Sequence, residues 1–148
     1  QDGVLLFSLV SDRISFHEFP GGIVSGHRLP TSVTDKKALD NIDSLVRRTI
    51  ERLGIASGPV YFQIKVRGTD AYLIEVTPRL DGCHMWNLIR YHCGVNLLQA
   101  TFDHLVENKR LSLTPEFFIP YRLDFICHPP HTIVDKGGYS EDEACFVE

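Results

Sequence analysis

Long apolar runs are missing from this sequence. No hydrophobic stretch in its 148 residues approaches the ~20 that a membrane-spanning helix needs, and no charged n-region leading into an apolar h-region opens the chain. A surplus of positive charge is missing too. Fifteen Lys and Arg stand against 19 Asp and Glu, a net charge of −4, so the basic stripe of a nucleic-acid-binding domain is not expected. A local basic groove for phosphate remains compatible with that total. The four cysteines, Cys83, Cys93, Cys127 and Cys145, form no CxxC pair, which argues against a structural zinc site and for reduced, mostly buried thiols in a cytoplasmic protein. There is no Gly-rich phosphate loop, no adenine-hinge segment, no internal repeat and no low-complexity tract. What is present is ordinary for one domain with a modest core: 43% hydrophobic and 23% charged residues.

The ends of the chain suggest a piece of something larger. Residue 1 is not methionine, strand-like sequence begins at Val4 without a lead-in, and Glu141–Glu148 stops in strand-like sequence. A single partial domain is therefore expected; the resemblance described below covers about residues 2–109 and leaves 110–148 as a β-rich segment after it.

The most informative stretch is Pro59–Arg79. Two β-rich runs, Val60–Val66 and Ala71–Val76, flank Gly68-Thr69-Asp70, which predicts a hairpin with a three-residue loop centred on Thr69. Antiparallel partners then have residue numbers with a constant sum, placing Gln63 opposite Glu75 and Tyr61 opposite Thr77. Alternation puts Phe62, Ile64, Val66, Tyr72, Ile74 and Val76 on a core face. Gln63, Lys65, Arg67, Glu75 and Thr77 fall on the other face, with Arg79 just past the strand. Adjacent oxygen donors with an arginine beyond them can hold a divalent cation and the phosphates it bridges. A half-solvated antiparallel sheet with no ligand shows the same alternation, so the pattern alone leaves both readings open.

Around this hairpin, Val4–Val10 and Ile14–Phe19 read as a second hairpin about the polar turn Ser11-Asp12-Arg13. Gly22–Pro30 reads as a Gly/Pro-punctuated loop whose basic His27 and Arg28 either sit at a solvated tip, the favoured reading, or touch an anionic substrate or nucleotide. Asp35 caps a helix to about Leu53, stopped by Gly54, with Leu39, Ile42, Leu45, Val46, Ile50 and Leu53 as its core stripe. Further helices are expected over Met85–His92, ended by Gly94, and Leu97–Asn108, capped by Asn96, the latter with Leu98, Phe102, Leu105 and Val106 inward. Phe117–Cys127 is strand-like, irregular up to Pro120; Thr132–Val134 and Asp135–Gly138 read as a strand and turn. His128 and His131 are separated by two prolines, a rigid spacer that does not bring both imidazoles onto one ion.

One resemblance adds to this reading. Gln63, eleven residues, then Glu75-Val-Thr-Pro-Arg79, followed by Asp81-Gly82-Cys83-His84 and later Cys93-Gly94-Val95-Asn96-Leu97, resembles the C-terminal catalytic part of the ATP-grasp superfamily. It looks most like the carboxylate–amine ligase and carbamoyl-phosphate-synthase branches, where the second hairpin strand ends in Glu-x-Asn-x-Arg and a Gln or Glu lies on the strand before it. The resemblance implies an α+β fold, an antiparallel β-sheet with helices packed on one face. It implies Gln63 and Glu75 as a metal-binding pair, Arg79 as the phosphate-binding and catalytic arginine, and the Gly82 backbone beside it. Thr77 stands where the family has a third, Asn ligand; a hydroxyl in place of an amide carbonyl weakens or removes a second metal. The implied cofactors are ATP and Mg²⁺ (or Mn²⁺), and the implied reaction activates a carboxylate as an acyl phosphate for attack by an amine. The implied partners are those small-molecule substrates and the rest of the chain's own ATP-grasp domain, where the nucleotide-grasping residues lie. A homodimer is compatible with an exposed inner surface; neither nucleic acid nor membrane is implied. The alternative is a non-catalytic binding or structural module of the same shape. Thr77 favours that alternative, whereas Gln63, Glu75 and Arg79 together favour the enzyme.

Overall fold

The computed structural model describes residues 1–19, 22–128 and 130–133. Its elements run β1 (Asp12–Ser15), β2 (Val24–Leu29), α1 (Lys36–Arg52), β3 (Tyr61–Arg67), β4 (Asp70–Thr77), α2 (Met85–Cys93), α3 (Leu97–Leu105) and β5 (Tyr121–Asp124). The fold is α+β and all strand pairs are antiparallel, in two hydrogen-bonded sheets: β1-β2-β5 and the hairpin β3-β4. Helix α1 packs on the hairpin, while α2 packs on β2, β5 and α3. Among the described residues no helix is long and apolar enough to cross a membrane.

Helix α1 forms where its sequence places it. The Asp35 carboxylate accepts from the Ala38 amide at 3.1 Å, satisfying one of the orphan donors of the first turn. Ala38, Ile42 and Val46 are buried, one turn apart on a single face. Gly54 takes φ 64° and closes the helix through its N–H to the Glu51 carbonyl at 3.1 Å. Leu53, expected in the stripe, sits at the cap and is exposed. Asn41 Nδ2 reaches the Thr69 carbonyl at 2.8 Å and ties the helix to the hairpin loop.

The first sheet differs from expectation. Residues 22–30 are not a loop: Val24–Leu29 is the central strand, paired with β1 on one side and β5 on the other. Gly26 is there for close approach. A Cβ on it would lie 2.4 Å from the Leu123 carbonyl oxygen and 2.9 Å from Asp124 Oδ1. Val4–Val10 makes no strand ladder; Leu5, Phe7 and Leu9 alternate inward, and Phe7 and Leu9 pack on the core. That core is Leu29, Met85, Leu88, Ile89, Cys93 and Val95, built by β2 and the inner face of α2. Residues 116–119 latch onto the end of α2, with Glu116 N–H to the Cys93 carbonyl at 3.1 Å and Ile119 N–H to the His92 carbonyl at 2.8 Å. Helix α3 is shorter than expected, and Phe102, Leu105 and Val106 are exposed; Ala100 is its buried residue. The expected strand and turn beyond Ile133 lie outside the described residues.

Asp12 anchors β1. Its carboxylate accepts from Thr31 Oγ1 at 2.6 Å and Ser32 N–H at 2.9 Å, and pairs with Arg28. Partial burial pushes its pKa up, but the bonds from Thr31, Arg28 and Ser32 outweigh it and hold the carboxyl at about 2. A lowered folded-state pKa stabilises above the unfolded value of about 4, and that stability is lost as pH falls through the folded value. Thermal unfolding therefore loses stability between about pH 4 and pH 2, and Asp12→Asn flattens that part of the profile. An unchanged profile in the variant contradicts the anchoring role.

Candidate functional site at the hairpin exit

The register brings the expected pairs together: Gln63 lies opposite Glu75 and Tyr61 opposite Thr77. It does so by another route. Arg67 pairs with Asp70, so the loop has two residues, Gly68 and Thr69, and the third is displaced into the strand. Ile64 pairs with Leu73 and Gln63 with Glu75, leaving Ile74 as a β-bulge. Gly68 takes φ 60°, a conformation that two-residue hairpin loops require and glycine adopts freely. The bulge changes the faces on the loop side. Tyr72 falls opposite Lys65 and is 52% exposed, and Ile74 is 58% exposed, so neither belongs to the core face expected for them.

At the far end of β4, Thr77 Oγ1 donates to Glu75 Oε1 at 2.9 Å. Glu75 and Thr77 are thus joined by their side chains, with Gln63 as the cross-strand partner of Glu75; all three carry side-chain oxygens, hard donors of the kind Mg²⁺ takes. Arg79 stands two residues on, its N–H to the Thr77 carbonyl at 2.8 Å, but its Nη1 turns to the Leu80 carbonyl at 2.7 Å rather than toward the carboxylate. Gly82 is exposed, with nothing within 4 Å of where a Cβ would stand. The donors next to it are already engaged. Asp81 accepts from Cys83 N–H and Met85 N–H, each at 3.1 Å, and so fills the anion seat at the start of α2 with the chain's own carboxylate. Burial raises the Asp81 pKa; the two backbone bonds, His27 and Arg79 pull it back only in part. His84 holds the cap position in a left-handed conformation without a side-chain cap bond.

Two neighbours were placed wrongly or not singled out in the sequence. His27, expected at a solvated tip, is in β2 and 2% exposed. Tyr61, half-buried, lies within electrostatic range of Arg13, Asp81, Cys83 and Glu75, with burial as the main cause of its raised pKa. A cleft of about 1590 Å³ separates the hairpin and α1 from β1, β2 and α2; Gln63, Arg79, Asp81 and His27 line it, and Glu75 and Thr77 lie outside its lining.

No protein-family model matches the sequence, and no curated protein matches it. Among solved structures, the chain is similar to phosphoribosylglycinamide synthetase from Anaerococcus prevotii, with a TM-score of 0.59 and 19% sequence identity over 64% of this chain and 24% of that one. The chain thus spans about a quarter of that protein's length. At this identity the likeness is one of fold: this α+β arrangement of antiparallel strands and three helices is shared with part of that synthetase.

Proposed function

We propose that the chain is the C-terminal ATP- and metal-binding part of an ATP-grasp ligase, which activates a carboxylate as an acyl phosphate for attack by an amine. The observation that carries this reading is the cross-strand pairing of Gln63 with Glu75, itself bonded to Thr77, in a hairpin that leads directly into Arg79. The fold shared with a synthetase supports it. So do the apolar side chains left uncovered on β4 and α3, which suit contact with the remainder of a larger domain.

Gln63 and Glu75 are the residues to hold Mg²⁺, which when bound with ATP neutralises phosphate charge. Thr77 fixes one Glu75 oxygen by its hydroxyl proton and leaves the other carboxylate oxygen and the Gln63 carbonyl for a ligand. Arg79 needs only to release the Leu80 carbonyl to present its planar donors to a phosphoryl or carboxylate group. Asp81 keeps the start of α2 from competing for that anion.

The reading is tested by ADP release from Mg²⁺-ATP in the full-length protein over a panel of carboxylate and amine pairs. Release that depends on one pair supports the ligase. Nucleotide binding with no release for any pair favours the non-catalytic module, the reading that Thr77 in place of the family's Asn favours.

A further inference from the structure

His27 poses a problem that the proposed ligase chemistry does not solve. Its imidazole is 98% buried at the centre of the first sheet, and neither ring nitrogen has a hydrogen-bond partner. Buried polar groups are nearly always satisfied, and each exception calls for an explanation. The groups it faces supply one. The ligand atoms of His27, Asp81 and Cys83 all lie within 4.8 Å of one another. Among the described residues no other three His, Cys, Asp or Glu side chains come together in this way.

We propose that His27, Asp81 and Cys83 form a binding site for one divalent transition ion of the zinc class, separate from the hairpin's oxygen donors. Nitrogen, sulfur and carboxylate donors are the set that zinc takes, with bond lengths of about 2.0–2.3 Å. Those lengths put tetrahedral donors roughly 3.5 Å apart, so side-chain adjustments of about 1 Å close the triad. Charge is balanced as well. The ion, a thiolate, a carboxylate and a neutral imidazole sum to zero, which limits the cost of holding them away from water.

The surroundings are arranged for this. Asp81 is oriented by the Cys83 and Met85 amides, the kind of outer bonding that fixes a ligating carboxylate. Burial lowers the His27 pKa, a direction that favours the neutral ring that ligates. Burial, with Asp81 beside it, raises the Cys83 pKa, and Arg13 and Arg79 offset this only in part; Arg13 is also in electrostatic range of His27. Its Nη1 is bonded to Ser15 Oγ at 2.8 Å and its Nη2 to the Gly22 carbonyl at 2.6 Å; its charge opposes the ion but favours the Cys83 thiolate. Asp81 and Cys83 are only half-buried, so three protein ligands leave a fourth position open to water or a substrate atom.

The test is titration of the full-length, chelator-stripped protein with Co²⁺ as a spectroscopic stand-in, followed by Zn²⁺. One equivalent of Co²⁺ gives a thiolate-to-metal charge-transfer band and the visible bands of a four-coordinate site, and Zn²⁺ displaces it. Cys83→Ser removes the charge-transfer band and weakens binding by at least about 100-fold, whereas a Cys127→Ser, Cys145→Ser double variant keeps both. In the unaltered protein, Zn²⁺ protects Cys83 from alkylation, a readout that does not depend on any variant folding. Absence of the band, its survival in Cys83→Ser, or protection of a different cysteine in place of Cys83 overturns the proposal.

Discussion

Glu75→Ala lowers turnover by about 10²–10³-fold with little change in thermal stability. The magnitude is that of removing one preorganised electrostatic contact from a site whose chemistry is mostly charge stabilisation, about 3–4 kcal/mol of barrier. Stability is spared because Glu75 is exposed and its side-chain bond is to Thr77, itself at the strand end. Kinetics of ADP release at saturating substrate, alongside a melting curve, separate the two effects. Near-normal turnover in Glu75→Ala removes the hairpin from the chemistry and with it the proposed function. The His27 site would be untouched by that result, because its test reads metal binding alone.

Gly26→Ala has the largest effect expected on the fold, a loss of about 3 kcal/mol in denaturant unfolding. The added methyl meets the Leu123 carbonyl at 2.4 Å, a backbone atom that cannot rotate away, so β2 and β5 must separate. Their separation pulls Leu29 and Tyr121 off the α2 core. Gly82→Ala, which meets nothing within 4 Å, changes stability by less than about 0.5 kcal/mol. Equal stabilities for the two variants would show that the β2–β5 approach is not tight.

How far the sequence could be read depended on how local each signal was. Helix α1 was legible because cap, apolar stripe and terminating glycine all lie within its own twenty or so residues. The pairing of Gln63 with Glu75 was reached because a three-residue turn and a two-residue turn plus one bulged residue give the same far register. The identity of β2 was not. Its glycine and the following Leu29-Pro30 imitate a loop, and the reason for Gly26 lies on β5, nearly a hundred residues away in the chain. His27 was misplaced with it, and the triad with Asp81 and Cys83 was invisible for the same reason. The outward Tyr72 was missed because a bulge leaves no mark in local composition. Phe102, Leu105 and Val106 have the spacing of a core stripe, yet no described element covers them.

The bulge at Ile74 behaves as a dislocation does in a crystal: one surplus unit disturbs the rows beside it and leaves the lattice beyond it in register. Moving that surplus from the strand into the turn gives a three-residue turn, with Gln63 still opposite Glu75. Deleting Ile74 gives a plain hairpin with the same far pairs. Changes of length on the turn side of Glu75 are therefore absorbed, whereas deleting Val76 shifts Thr77 and Arg79 to the wrong faces. ADP release that survives the first deletion and fails in the second would show that the hairpin tolerates loss of one residue on its turn side but not beyond Glu75.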